Sequence, residues 1–278
     1  MTDEMRKRVG RRIRAARKEK GLSQEKLGEE LEVSFQAVSS WETGKFLPDA
    51  DHLPALAKAL DISLDALFAG KDRQWSFRRV NFDEEHMFTY VKSKAQERGY
   101  TQTLAVMDLL KAAHGEQKRR SKYGFECSYT VHPLTMACQV LAMGLKSDDL
   151  LAACIAHDMV EDTPMKLSDL PVGERVREAV RLVSKNLYDH TEGWEETYFA
   201  EIRKNPLACL VKCLDRVNNL AGMADAFSRK KMVRYTEETD RYYPDLLEVI
   251  KKQPEWNDAW WLLRYQMVGM TETFKRLL

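Results

Sequence analysis

The sequence predicts an all-α protein built as two domains, and three observations lead there. Glycine and proline are scarce, 13 and 8 in 278 residues, below the usual ~7% and ~5%. Apolar residues recur at helical spacing behind Ser and Asn cap residues along most of the chain. Alternating Val/Ile-rich runs are absent, so no sheet is expected. With 44% apolar and 31% charged residues, the chain can bury a large core, whereas disorder needs a less hydrophobic composition. At ~100–200 residues per domain, two domains are the natural division.

Residues 5–69 read as five short helices. The first runs to about Lys20 and stops at Gly21, a residue suited to the position after a helix. Ser23 caps a second over residues 24–31. Ser34 caps a third, with Val38 and Trp41 on its buried side. Pro48 and Asp49 break the chain. A fourth helix carries Leu53, Leu56, Ala57 and Leu60 at helical spacing, and Ser63 caps a fifth with Leu64, Leu67 and Phe68. The first 20 residues hold nine Lys/Arg against Asp3, Glu4 and Glu19. Such a basic segment in a nearly neutral chain is a handle for a polyanion, although a charge run is more often a solvated helix face.

Two short helices a few residues apart, the second rich in small polar side chains, form a helix-turn-helix pattern. The stretch LSQEKLGEELEVSFQAVSSWETGKFLPD, followed by LPALAKALDISLDALF, resembles the lambda-repressor/Cro (XRE) type of DNA-binding domain. The resemblance implies a five-helix domain over residues 1–70 whose third helix enters the major groove of operator DNA. It places Phe35, Gln36, Ala37 and Ser40 at base edges and Gln24 at a phosphate. Gln36 suits a bidentate pair with adenine, and Phe35 suits a thymine methyl. Gly28 stands where Ala is usual, at a small propensity cost, and Glu32 stands where the turn usually has Gly. A protein-interaction role for the same fold stays open. Because one module reads only a half-site, the resemblance also implies a homodimer.

Residues 71–82 read as a basic linker in which Trp75 and Phe77 suit docking on either domain. From residue 83 to 278 the pattern is helix after helix. One covers 104–114, a second follows His132-Pro133, and a third is capped by Ser147 and runs from Asp148 past His157. A fourth covers 174–183. A fifth starts at Asn205-Pro206, with Asn as cap and Pro at the first helical position. Tyr242-Tyr243-Pro244 interrupts a later helix, and Trp256 opens the last. The five cysteines, at 127, 138, 154, 209 and 213, are an odd number set mostly in apolar helices and read as reduced thiols. No run of ~18 apolar residues offers a membrane span, and the basic N-terminus lacks the apolar segment of a signal peptide. A cytoplasmic protein with no membrane partner is expected.

Three places in the second domain carry chemistry. His132 precedes a proline at a helix start, His157-Asp158 closes LLAACIAHD, and Asp215 sits inside CLVKCLDRVNNL. A carboxylate among Leu, Val and Cys needs a counter-ion or a bound cation. Two imidazoles and two carboxylates suit Mn²⁺, Zn²⁺, Fe²⁺ or Mg²⁺ better than a thiolate-selected metal. The alternative is that Asp215 pairs with an Arg and each His is a satisfied core residue. Glu161 follows His157 by four and Asp162 follows Asp158 by four. On an uninterrupted helix both would lie on the metal-facing side, one turn away, where carboxylates can handle protons.

The segments AAHGEQKRRS, YTVHPL, LLAACIAHDMVEDT and KCLDRVNNL, with YTEETDRYYPDLL as a weaker match, resemble the HD-domain phosphohydrolases. Within them they are most similar to the hydrolase domain of RelA/SpoT proteins and the small alarmone hydrolases, over residues 100–250. The resemblance implies a helical domain with His132, His157, Asp158 and Asp215 as ligands of Mn²⁺, and Glu161 and Asp162 as the catalytic acid/base pair. It also implies a guanosine polyphosphate-like nucleotide, with Arg119, Arg120 and Ser121 at the guanine, Asn219 near the ribose and base, and Lys118, Arg119, Arg120 and Lys122 balancing phosphate charge. Gly222 replaces the family's Thr, and about four residues are inserted between Ser121 and Tyr129. Both departures fall beside the base pocket.

The two halves together imply a DNA-binding protein joined to a metal-dependent hydrolase that removes the 3′-pyrophosphate of a (p)ppGpp-like alarmone. The alternative is a transcriptional regulator, or an autoregulated antitoxin, whose second domain mainly senses a nucleotide.

Overall fold

A computed structural model describes residues 3–68, 83–114, 118–120 and 126–278. The described residues fall into two compact units, one within residues 1–81 and one from residue 82 onward, the short segment 120–126 apart. The expected linker, with Trp75 and Phe77, lies outside the described residues.

The first unit is helical throughout: α1 (Asp3–Glu19), α2 (Gln24–Glu30), α3 (Phe35–Thr43), α4 (Leu53–Leu60) and α5 (Leu64–Phe68). Ser23, Ser34 and Ser63 each accept a backbone N–H three residues on, from Lys26, Ala37 and Ala66, satisfying donors that the first helical turn leaves unpaired. Val9, Ile13, Leu27, Val38, Trp41, Leu56, Leu60 and Leu67 form its core. Two glycines set the packing. A Cβ on Gly10 would stand 2.4 Å from the Trp41 carbonyl, so α1 and α3 touch backbone to backbone. A Cβ on Gly28 would stand 2.7 Å from the Val33 carbonyl. The sequence suggested only a propensity cost at Gly28; the tight α2–α3 turn makes glycine a steric requirement there. Glu32, where a turn Gly was expected, keeps the left-handed conformation at φ 55°, a strain of about 1–2 kcal/mol for an L-residue.

The second unit contains α6 (Glu84–Glu97), α7 (Thr101–His114), α8 (Val131–Ala142), α9 (Asp148–Ala156) and α10 (Met159–Asp162), with two short strands, β1 (Lys118–Arg120) and β2 (Glu126–Ser128), between α7 and α8 in the chain. It continues with α11 (Glu174–Val183), α12 (Trp194–Ile202), α13 (Pro206–Ala226), α14 (Arg229–Lys251) and α15 (Asn257–Leu277). α9 is buried almost all round, packed by α7, α8, α11 and α13. It carries the chemistry to the centre of the unit. Cys154, Cys209 and Cys213 are buried free thiols, and burial pushes the Cys209 thiol up to about 12. No helix among the described residues is long and apolar enough to cross a membrane.

Three expectations are corrected. A two-stranded ribbon, β1–β2, exists where no sheet was expected; three-residue strands are too short to show alternation. The helix expected to run past His157 ends at Ala156. His157 Nδ1 bonds the Cys154 carbonyl at 2.8 Å, the acceptor that a continuing helix would offer to the Asp158 N–H. Finally, Pro244 does not interrupt α14. The proline removes one ladder hydrogen bond, but burial of Tyr243, Leu246, Leu247 and Ile250 around it holds the helix continuous.

Candidate functional site

In the second unit, side chains from three helices meet. His132 comes from the first turn of α8, His157 and Asp158 from the break after α9, and Asp215 from the middle of α13. His132, His157 and Asp215 are buried and Asp158 is half-buried. His132 Nε2 lies 3.2 Å from His157 Nε2, 3.2 Å from Asp215 Oδ1 and 3.6 Å from Asp158 Oδ2. His157 Nε2 lies 3.0 Å from Asp158 Oδ1 and 4.0 Å from Asp215 Oδ1. Donor atoms held ~2.0–2.2 Å from one tetrahedral or octahedral ion stand about 3.0–3.5 Å apart. Most of these separations are those of a coordination shell.

The outer ring nitrogens decide what faces inward. His132 Nδ1 is 2.6 Å from Asn218 Oδ1, and His157 Nδ1 is 2.8 Å from the Cys154 carbonyl. Both partners are acceptors, so both Nδ1 atoms carry the proton. In the neutral imidazoles, both Nε2 lone pairs then point at each other and at two carboxylates. His132, His157 and Asp158 offer ligand atoms close enough together to hold one ion, with Asp215 Oδ1 3.2 Å from His132 Nε2, and this donor set fits a divalent metal. The outer bonds also fix tautomer and ring orientation.

Electrostatics agree with the geometry. Burial opposes charge on Asp215, yet Lys212 and the two imidazoles hold its carboxyl well below the usual range. Asp158 is likewise lowered against its burial by His157 and His132. Burial alone would lower the His157 pKa, but Asp158 and Asp215 outweigh it and raise it. Lys212, buried on α13, places Nζ 3.3 Å from Asp215 Oδ2. Asn219, expected at the ribose, donates to Asp215 Oδ1. The alternative reading of Asp215 as the partner of an Arg does not hold: the neighbouring Arg216 pairs with Glu238 instead.

Because α9 ends early, Glu161 and Asp162 do not sit side by side over the cluster. Glu161 turns inward, and its Oε2 accepts the Lys185 backbone N–H at 2.9 Å. Burial raises its carboxyl pKa against the lowering pull of Lys212. Asp162 is exposed and accepts from the Tyr129 hydroxyl, which also lies 2.7 Å from Asp158 Oδ2. Asn218, Lys212 and Tyr129 escaped the sequence reading. Asn218 and Lys212 each stand three residues from Asp215, one helical turn away, and that spacing was the available signal. Lys118, Arg119 and Arg120 form β1, while Ser121 and Lys122 lie outside the described residues.

In the first unit, Phe35 and Gln36 are exposed at the start of α3, Phe35 at 47%; Ala37 and Ser40 are half-buried. Val38 and Trp41 face the core as expected. Gln24 Nε2 donates to Glu42 Oε2 at 2.7 Å. The basic segment of α1 divides. Arg17 is buried against Glu42, and Arg12 donates to the Leu67 and Phe68 carbonyls at the end of α5. Arg8, Arg11, Arg14 and Lys18 remain on the surface.

A helix-turn-helix family model, HTH_3, matches residues 13–67. A prophage-derived HTH-type transcriptional regulator of Bacillus subtilis is 32% identical over 76 residues, covering 27% of this chain and 70% of that protein. The guanosine-3′,5′-bis(diphosphate) 3′-pyrophosphohydrolase of Aquifex aeolicus is 29% identical over 146 residues, 50% of this chain. The chain spans about a fifth of that hydrolase's length, 20%. A solved structure described as a metazoan ortholog of SpoT that hydrolyzes ppGpp aligns over 56% of this chain and 97% of its own, at 18% identity and a TM-score of 0.42.

Proposed function

Since the chain belongs to the helix-turn-helix family through residues 13–67, we propose that it is a DNA-binding protein joined to a divalent-metal-dependent nucleotide hydrolase. The hydrolase releases pyrophosphate from the 3′ position of a guanosine 3′,5′-bispyrophosphate-like nucleotide. The observation that carries the hydrolase reading is the convergence of two imidazole lone pairs and two carboxylates from three helices. Similarity to a 3′-pyrophosphohydrolase over half the chain supports the choice of substrate.

His132, His157, Asp158 and Asp215 would hold the ion, Mn²⁺ by the chain's resemblance. A divalent ion there supplies Lewis acidity toward water and phosphoryl oxygen. Water adds to the phosphorus next to the 3′ oxygen, the P–O bond to the ribose breaks, and pyrophosphate leaves. Glu161 and Asp162 handle the proton that passes from the water to the departing 3′ oxygen. Burial raises the Glu161 carboxyl pKa, the direction that suits a donor. Lys118, Arg119, Arg120 and Ser121 bind phosphate and guanine, and Asn219 supports the ribose side of the pocket while holding Asp215.

At the other end, Phe35, Gln36, Ala37 and Ser40 read bases and Gln24 meets a phosphate, with a homodimer spanning a two-fold operator. The exposure of Phe35 and Gln36, and of Arg8, Arg11, Arg14 and Lys18 on α1, supports this assignment.

The test is metal analysis and pyrophosphate release by the purified protein. Mn²⁺ should bind, and guanosine 3′,5′-bispyrophosphate should release pyrophosphate only with metal. Glu161→Gln should cost roughly 10²–10⁴-fold in turnover with metal content intact. Stoichiometric nucleotide binding without release would shift the reading to a sensor. In a selection from random DNA, Gln36→Ala should relax one base step of the recovered site; recovery of no site by the parent protein would remove the DNA assignment.

A further inference from the structure

Each of the four converging side chains has a partner on its outer side. His132 Nδ1 meets Asn218 Oδ1 at 2.6 Å, and His157 Nδ1 meets the Cys154 carbonyl at 2.8 Å. Asp158 Oδ2 accepts from the Tyr129 hydroxyl at 2.7 Å. Asp215 Oδ2 lies 3.3 Å from Lys212 Nζ. The first three partners are neutral and Lys212 is charged, since a neighbouring carboxylate favours the ammonium form. Its side chain is 8% exposed, too deep to serve as a surface cation. It stands among the buried Cys209, Leu210, Cys213 and Leu214 of α13, where an apolar side chain would pack at less cost than a charge. The ammonium divides the two oxygens of Asp215. Oδ2 is taken by Lys212, while Oδ1 lies 3.2 Å from His132 Nε2 and 4.0 Å from His157 Nε2.

We propose that Lys212 sets the charge of the metal site: it takes one oxygen of Asp215, leaves the other for the ion, and makes that ion bind more weakly than the four ligands alone would bind it. This role rests on the reading of the cluster as a divalent-metal site. Two carboxylates bring two negative charges to the ion, and the ammonium offsets one of them. It repels a divalent ion twice as strongly as a proton at the same place, so it shifts their competition against the metal. The ion's charge is then less completely neutralised by its surroundings, which keeps it a stronger Lewis acid toward phosphoryl oxygen. The outer partners therefore differ in sign. Losing a neutral one loosens a ligand and weakens the metal; losing Lys212 removes a repulsion and strengthens it.

The experiment is competition for Mn²⁺ against a chelator, on the full chain without nucleotide, at about pH 8, above the ordinary imidazole range. Lys212→Met keeps the length of the side chain and removes its charge. It should bind Mn²⁺ about tenfold tighter or more. Without Mn²⁺ it should melt below the parent, because Asp215 loses its counter-charge, and added Mn²⁺ should raise its melting temperature further than the parent's. At saturating Mn²⁺ its turnover of guanosine 3′,5′-bispyrophosphate should fall by about tenfold, with KM little changed. Lys212→Arg keeps the charge and should hold Mn²⁺ affinity within about threefold of the parent. If Lys212→Met does not fold, Lys212→Gln, which keeps a donor for Asp215 without the charge, carries the same expectation.

Weaker or unchanged Mn²⁺ binding by a folded uncharged variant overturns the proposal, and so does equal tightening by Lys212→Arg. Failure of both uncharged variants to fold, with or without Mn²⁺, would make Lys212 a packing residue and overturn it as well. A parent that binds no Mn²⁺ refutes the metal reading and this role with it. A parent that binds Mn²⁺ but releases no pyrophosphate refutes the hydrolase reading alone, because the competition needs no substrate.

Discussion

Arg17 in the first unit and His132 in the second are both buried polar groups reached from distant parts of the chain, and their surroundings are opposites. Arg17 donates from Nη2 to Glu42 Oε2 at 3.1 Å and from Nη1 to the Leu22 carbonyl at 2.6 Å, while Gln24 supplies a further donor to Glu42. Donors there meet acceptors, and the cluster is complete without a ligand. Around His132 the outer nitrogen is satisfied by Asn218, and the inner nitrogen faces a second imidazole and two carboxylates. A satisfied buried pair is architecture. A buried concentration of imidazoles and carboxylates is a place for a cation to bind, because negative charge in a low-dielectric interior is costly without one.

The sharpest break of that comparison is a truncation on each side. His157→Ala should abolish metal binding and reduce hydrolysis to background while leaving the helical circular dichroism intact. Glu42→Ala should leave hydrolysis untouched. It strands the Arg17 charge, so it should cost about 3–5 kcal/mol of stability in the first unit, read by denaturant unfolding. If His157→Ala instead unfolds the protein with no change in metal content, the cluster around His132 is architecture like its counterpart.

A smaller effect is expected from the outer bond. Asn218→Ala frees the His132 ring, and metal affinity should fall by about 10–100-fold, measured by competition with a chelator. Proton and cation compete for the same Nε2, and the His157 pKa is raised above its ordinary 6.5. Metal affinity should therefore rise with pH through that raised value and level off above it. The linkage for the metal-free protein has the opposite direction. A raised folded pKa stabilises below 6.5, and that stability is lost as pH rises through the folded value. Metal titrations and urea midpoints over the same pH range check both signs. The smallest effect should come from Glu32→Gly, which relieves the left-handed strain at φ 55° and should gain no more than about 1 kcal/mol, since glycine also loosens the unfolded chain.

The first unit was nearly all legible in the sequence. Its helices, the caps Ser23, Ser34 and Ser63, and the inward Val38 and Trp41 are local signals, and local signals survive without knowledge of the rest of the fold. That His132, His157, Asp158 and Asp215 call for a partner was legible for a related reason, while their grouping into one site came from the resemblance to HD-domain phosphohydrolases. A charged or imidazole side chain inside an apolar helix announces a need wherever its partner lies. The orientation of Glu161 and Asp162 was not legible, since it depends on one bond, His157 Nδ1 to the Cys154 carbonyl, that ends a helix the apolar pattern would continue. Pro244 shows the reverse: a local helix-breaking signal overridden by burial on both sides of it.

Composition, helical periodicity and cap chemistry by themselves determined a predominantly helical protein, the short helices of its N-terminal part and the residue types needing a counter-charge. These depend on interactions within a few residues, which are written directly in the chain. Only the tertiary structure decided which acceptors meet and which are satisfied. It brought His132 to Asn218 and Asp215 across more than 80 residues, joined Arg17 and Gln24 to Glu42, and put Tyr265 and Gly269 on an outer face. Those outcomes are set by how whole helices pack. Packing is a property of many side chains at once, and no window of sequence contains it.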